Sequence, residues 1–167
     1  IACREVFERE RSVDMLSCVF TALAIWANRL GQKDQGISFG KTALLYSYLF
    51  GDPEKISNNH YNLAIFFREN DSQSALDHRL AATVILIQIS SVFLASCLGD
   101  LARDLDKFGH EALPESFDQL CDRVEEVEGV RFRELWARLP KREKDGDQLL
   151  KEIIEAAKAQ SQKKSEN

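Results

Sequence analysis

The sequence predicts an all-α chain built from antiparallel helix pairs, and three observations carry that reading. Apolar and small residues recur at three- and four-residue steps, most regularly over His60–Ala82. There Leu63, Ala64, Phe67, Ala75, Leu80 and Ala82 flank a polar break at Asn70, Asp71 and Ser72. Only 8 glycines and 3 prolines interrupt the 167 residues. The chain also resembles itself. A shift of forty residues lays Ala22–Trp26 over Asn62–Phe66, and a shift of thirty-nine lays Gly36-Ile37 over Ala75-Leu76 and Ala43 over Ala82. A helical hairpin of this size cannot cover its own apolar faces, so it must stack on copies of itself.

From Ile1 to Leu30 the pattern is helical, apolar at Val6, Phe7, Val13, Leu16, Phe20, Leu23 and Trp26. A charged interruption at Glu8–Arg11 leaves Ser12 placed to cap a fresh helix. No capping residue precedes Val6 and Phe7, so the chain is expected to be a segment of a longer protein. Gly31 closes this helix, Gln32–Gln35 is a polar link, and Gly36–Phe50 forms its partner, with Phe39, Tyr46, Tyr48 and Phe50 as wedges. Gly51-Asp52-Pro53 is a stop followed by a start, since Asp suits an N-cap and Pro a first turn.

Glu54–Asn70 is the next first helix and Ser74–Ser90 its partner. Branched residues over Thr83–Ile89 favour a strand by propensity, but the run continues without a breaker from a helical stretch. A helix apolar on all sides is also what the centre of a stack requires. Val92–Phe108, Pro114–Glu128 and Arg131–Leu139 follow, ended by Gly109, Gly129 and Pro140. Asp147–Gln160 carries a narrow apolar stripe (Leu149, Leu150, Ile153, Ile154, Ala157), as a capping helix with nothing on its outer side needs. The domain plan is therefore a single helical-repeat unit over 1–160, with pairs at about 12–50 and 54–90, further helices over 92–139, a capping helix over 147–160 and a disordered tail over 161–167.

A net charge of −5 argues against a nucleic-acid partner, because phosphate binding requires a basic surface. Gln88, Ser90, Ser91 and Ser96 break the one long apolar stretch, Ala81–Leu98, so no membrane span is expected. No basic start with a short apolar run reads as a signal peptide. Cys3, Cys18, Cys97 and Cys121 lack C-x-x-C spacing and sit in apolar helical patterns, which points to buried thiols in a reducing, cytoplasmic setting. With His60, His78 and His110 far apart in sequence, no metal site and no cofactor are expected.

The upstream copy places Phe20, Leu23, Ala24 and Ala27 on its first helix, Gly31 at the turn, and Gly36 and Ala43 on its second. The downstream copy places His60, Leu63, Ala64 and Phe67, then Ala75 and Ala82, one residue short at the turn. This resembles the tetratricopeptide repeat (TPR), whose first helix carries an aromatic, Leu-Gly and a second aromatic, and whose second helix carries Ala, an aromatic and Pro. Gly40 and Arg79 depart from it, standing where the second helix carries the aromatic, and Pro53 comes late. The resemblance covers Ser17–Ser90. It implies a right-handed superhelical α-solenoid of helix pairs, similar to the C-terminal repeat regions of large bacterial multidomain proteins. It also implies a protein-interaction scaffold or sensor with no enzymatic activity, binding a peptide or partner protein in a concave groove lined by the first helices. Carried over position by position, that groove face falls on Cys18, Thr21, Ile25 and Asn28 and on Asn58, Tyr61, Ile65 and Arg68. Asn62, beside this face, either hydrogen-bonds a partner backbone or satisfies a neighbouring helix end.

Particular residues also support other functions. The acidic residues between Glu115 and Glu128 form either a docking surface for a basic partner or a solvated helix face. Arg103-Asp104 followed by His110 resembles the motif of the HEPN family of all-helical ribonucleases, which implies an RNA-directed alternative. Against it, Gly109 breaks the helix between them, and Asp100, Asp106 and Glu111 surround the set. A third alternative is self-association through the repeat ends or through large aromatics such as Trp26 and Trp136.

Overall fold

The computed structural model describes residues 2–140 and 144–165, with side chains described at 9, 11–140 and 144–162. Ile1, the side chains of Cys3, Val6 and Phe7, the start of the linker at Lys141, and residues 166–167 lie outside this set. The described residues form helices and no strand: α1 (Ala2–Arg29), α2 (Lys33–Phe50), α3 (Pro53–Phe67), α4 (Ser72–Gln88), α5 (Leu94–Phe108), α6 (Phe117–Glu125), α7 (Phe132–Arg138) and α8 (Gly146–Ser165). Among them no helix is long and apolar enough to cross a membrane.

Helix ends follow from local chemistry. Gly51 takes a left-handed conformation at the end of α2 (φ 86°), and its N–H donates to Ser47 O at 2.8 Å. The next residue, Asp52, accepts from the Glu54 N–H at 2.9 Å, and Pro53 occupies the first turn of α3. Asp71 caps α4 through the Ser74 N–H at 3.0 Å. Ser116, rather than Pro114, caps α6 through the Gln119 N–H at 3.1 Å.

Helices α1 to α5 pack against one another in chain order, and α4 also packs on α6 and α8, while α8 lies against α5. Helix α4 is therefore the centre. Every residue from Ala75 to Leu86 is buried, and Thr83–Gln88 is helical as the continuity of the pattern required, despite its branched residues. The small residues of the two copies face inward: Ala24, Gly36, Ala64 and Ala75 are all buried. Gly40, where the repeat signature has an aromatic, permits a close crossing of α2 over α3. A Cβ there would lie 2.9 Å from Leu63 Cδ2 and 3.1 Å from Phe66 Cδ2.

Several expectations are corrected. No helix starts at Ser12, because α1 runs unbroken from Ala2 to Arg29; the charged run Glu8–Arg11 lacks a breaker, and charged residues continue a helix readily. Leu23 and Trp26 are not core: Trp26 is 61% exposed, while Ala24 and Ala27 beside it are buried. Cys18 is an exposed thiol, in contrast to the buried Cys97 and Cys121. Helix α8 continues to Ser165, so residues 161–165 are helical rather than a disordered tail.

The core also holds a polar chain. Tyr48 Oη lies 2.8 Å from His60 Nε2, and His60 Nδ1 lies 2.8 Å from His78 Nδ1. One ring must donate and the other accept between the two Nδ1 atoms, so the accepting imidazole is neutral, and burial favours the neutral form of the donor as well. Phe67 stacks on His78 with the planes 3° apart, and Phe132 meets His60 edge-on. Burial drives the pKa of His60 well below the usual 6.5, helped by His78, and that of His78 down to about 3. Burial moves the neighbouring Asp77 the other way, from 3.8 up to about 7, against the opposing pull of Arg123.

A group whose folded pKa is depressed contributes stability that is present above its unfolded pKa and lost as pH falls. The two histidines act in this sense below pH 6.5, and Asp77 partly offsets them. Unfolding at pH 5 to 6 lets both histidines take up protons while Asp77 releases one, so the balance is a loss of stability as pH falls. Urea midpoints are expected to fall on going from pH 7 to pH 5. A flat or rising midpoint over that range would contradict a neutral buried histidine pair.

Candidate functional site

The Asp52–Pro53 cap fixes where α3 begins, and its pattern fixes which side faces out. His60, Leu63, Ala64 and Phe67 point into the core. Asn58, Tyr61, Ile65 and Arg68, at steps of three and four, form a row on the opposite side. This row runs between two depressions. The first, about 460 Å³, lies between the start of α3 and the α4–α5 junction, and is lined by Asn58, Tyr61, Glu54, Leu86, Phe93 and Cys97 among others. The second, about 260 Å³, is lined by Asn28 from α1, Ile65 and Arg68 from α3, Lys33, Glu69 and Lys107. Five of the eight expected site residues thus line two hollows along one helix.

The other three do different things. Thr21 Oγ1 lies 2.8 Å from Asn59 Oδ1, and Asn59 Nδ2 in turn donates to Ser17 Oγ at 3.2 Å, so Thr21 helps join α1 to α3. Ile25 is half-buried against the main core. Asn62 is half-buried on the flank of the row and lines neither hollow.

Beneath the row lies a charged network. Arg79 is 1% exposed and Asp104 fully buried, with Arg79 Nε donating to Asp104 Oδ2 at 3.0 Å. Arg68 Nε stands 2.8 Å from the other carboxylate oxygen, an ion-pair contact not aligned as a hydrogen bond. The Arg79 guanidinium sits 4.2 Å from the centroid of the Tyr61 ring, which covers it with a π face. Tyr61 Oη donates to Asp100, and Asp100 also pairs with Arg103. The network ties α3, α4 and α5 together directly under the row and holds Tyr61 and Arg68 in place. Arg79, the second departure from the repeat signature, is therefore a tether in a fully buried position.

The alternative sets are not assembled. Asp104 is buried while Arg103 and His110 are exposed, with Gly109 ending α5 between them. On the acidic helix, Arg133 gathers Asp122 and Glu125 at 2.6 Å each and approaches Asp118 at 3.8 Å, so three of the acidic groups share one counter-charge from α7.

The pattern reading missed Lys33 of α2, Lys107 of α5 and Phe93 just ahead of α5, which reach the row from other segments, Glu69 in the turn that follows α3, and the buried pairing of Arg79 with Asp104. A signal for the pair was present, since an Arg in the middle of a helix expected at the centre of a stack requires a partner. In comparison with known proteins, the chain matches no family model, no curated protein and no solved structure.

Removing Asp104 would leave Arg79 buried without its counter-charge. Asp104→Ala is expected to cost about 3–5 kcal/mol in chemical denaturation. Replacing both partners together, Arg79→Met with Asp104→Leu, should recover most of that. A single variant as stable as wild type would show that the pair is not the tether described.

Proposed function

We propose that the chain is a protein-interaction module of the helical-repeat kind, receiving an extended peptide or a helix of a partner protein along the outward row of α3. The observation that carries this reading is the alignment of Asn58, Tyr61, Ile65 and Arg68 with two hollows on one face, joined by Asn28 from α1. Several properties of the row support it. The half-buried Tyr61 and Ile65 supply apolar contact, and Asn58, Arg68 and Lys107 at its edges suit a polar backbone or an acidic side chain. Positioning comes from the buried pair below, which spares a partner the cost of ordering the surface. The order of packing through α1 to α5 supports a stack of helix pairs as the scaffold.

Peptides selected by display against the wild-type chain are expected to bind at least about tenfold more weakly to Asn58→Arg and to Lys107→Glu. Both positions are exposed enough to leave stability unchanged. Affinities unchanged in both variants would remove the row as the binding face.

A further inference from the structure

We infer that α1 pairs antiparallel with α1 of a second copy of this chain, through a face the groove reading does not use. Met15, Leu16, Val19, Leu23, Trp26 and Leu30 are all exposed, Trp26 and Leu30 at 61% and 67%. Met15, Val19, Trp26 and Leu30 lie on the side of α1 opposite the buried Ser17 and Ala24, with Leu16 and Leu23 at its edge. Between Arg11 and Arg29 this outer face carries no charged residue; Asp14, at its margin, is turned to Lys55 of α3. A helix apolar on both sides belongs between two layers of protein.

The area fits a second copy. The six side chains expose roughly 600 Å², the upper end of what a monomer leaves in water, so a twofold pair would bury on the order of 1,200 Å², where specific interfaces begin. The spacing is self-complementary, as a twofold interface demands. With the axis between Ala22 and Leu23, Met15 meets Leu30 of the second copy, Val19 meets Trp26, and Ala22 meets Leu23. Each pair occurs twice, with a smaller side chain facing a larger one at two of the three levels. Leu16 falls under the stem of Arg29. Arg11 arrives at the α1–α2 turn, where Asp34 is exposed, so the ends are matched in charge. A parallel pair would instead set Arg11 on Arg11 and Arg29 on Arg29.

The test is the mass of the 167-residue chain by sedimentation velocity, with two variants and a cross-link. Wild type is expected at twice its 19.0 kDa at micromolar concentration. Val19→Glu and Trp26→Glu should shift it to monomer, with helicity and display-peptide affinity at the α3 row unchanged. In chains with Cys3→Ser and Cys18→Ser, Met15→Cys mixed with Leu30→Cys should form a disulfide-linked dimer, and neither alone should, because the two positions are about 22 Å apart along the helix. A wild type monomeric at about 100 µM, a dimer that survives both glutamates, or a Met15→Cys chain that links to itself would each overturn the proposal. None of these outcomes would bear on the groove, and loss of peptide binding in the Asn58→Arg chain would leave the dimer intact.

Discussion

Burial of α4 is the constraint from which the rest of the structure follows. Twelve consecutive residues, Ala75 to Leu86, are removed from water, and no single partner helix can do that. Helix α3 covers one side, α5 another, and α6 and α8 return along the chain to close what remains. Because the buried run includes Asp77, His78, Arg79 and Thr83, each element that closes over α4 must also bring an answering polar group. Helix α5 brings Asp104 to Arg79, α3 brings His60 to His78, and α6 brings Arg123 to within 3.4 Å of Asp77. Packing and polar pairing therefore select the same arrangement of helices, since a shift of α5 by one turn would strand the charge of Arg79.

The candidate site inherits its rigidity from this centre. Tyr61 and Arg68 are surface residues only on one side. Underneath, the ring lies on the Arg79 guanidinium and the Arg68 side chain reaches the carboxylate that Arg79 holds. The outward row of α3 is thus the exposed edge of a buried network, and its shape is fixed before any ligand arrives.

Much of this was legible in the sequence, for reasons that differ by element. The start of α3 could be read because Asp52-Pro53 acts within a few residues, where cap chemistry is local, whereas α4, expected from Ser74, begins at Ser72 because Asp71 caps it. The inward set of α3 and the helical state of Thr83–Gln88 followed from periodicity and continuity. The α3 row came from the repeat resemblance, and its members share a face because residues three and four apart lie together on a helix. What spacing does not carry is which faces find partners. Trp26 and Leu23 sit at intervals that suit a core as well as an interface, and Lys107 reaches the second hollow only because α5 is folded back over α3. Arg79 and Gly40 looked like faults in a repeat, and each is explained by a contact from a distant segment: Asp104 for the one, Leu63 and Phe66 for the other.

The most direct test of a fully enclosed α4 is native-state hydrogen exchange. Amides from Leu76 to Leu86 are predicted to exchange only through global unfolding, with the largest free energies in the chain, while those of the outer turns of α1 and α8 open earlier. Exchange of the α4 amides at or below the free energies of α1 and α8 would contradict the account, because a helix enclosed by four others cannot open before them.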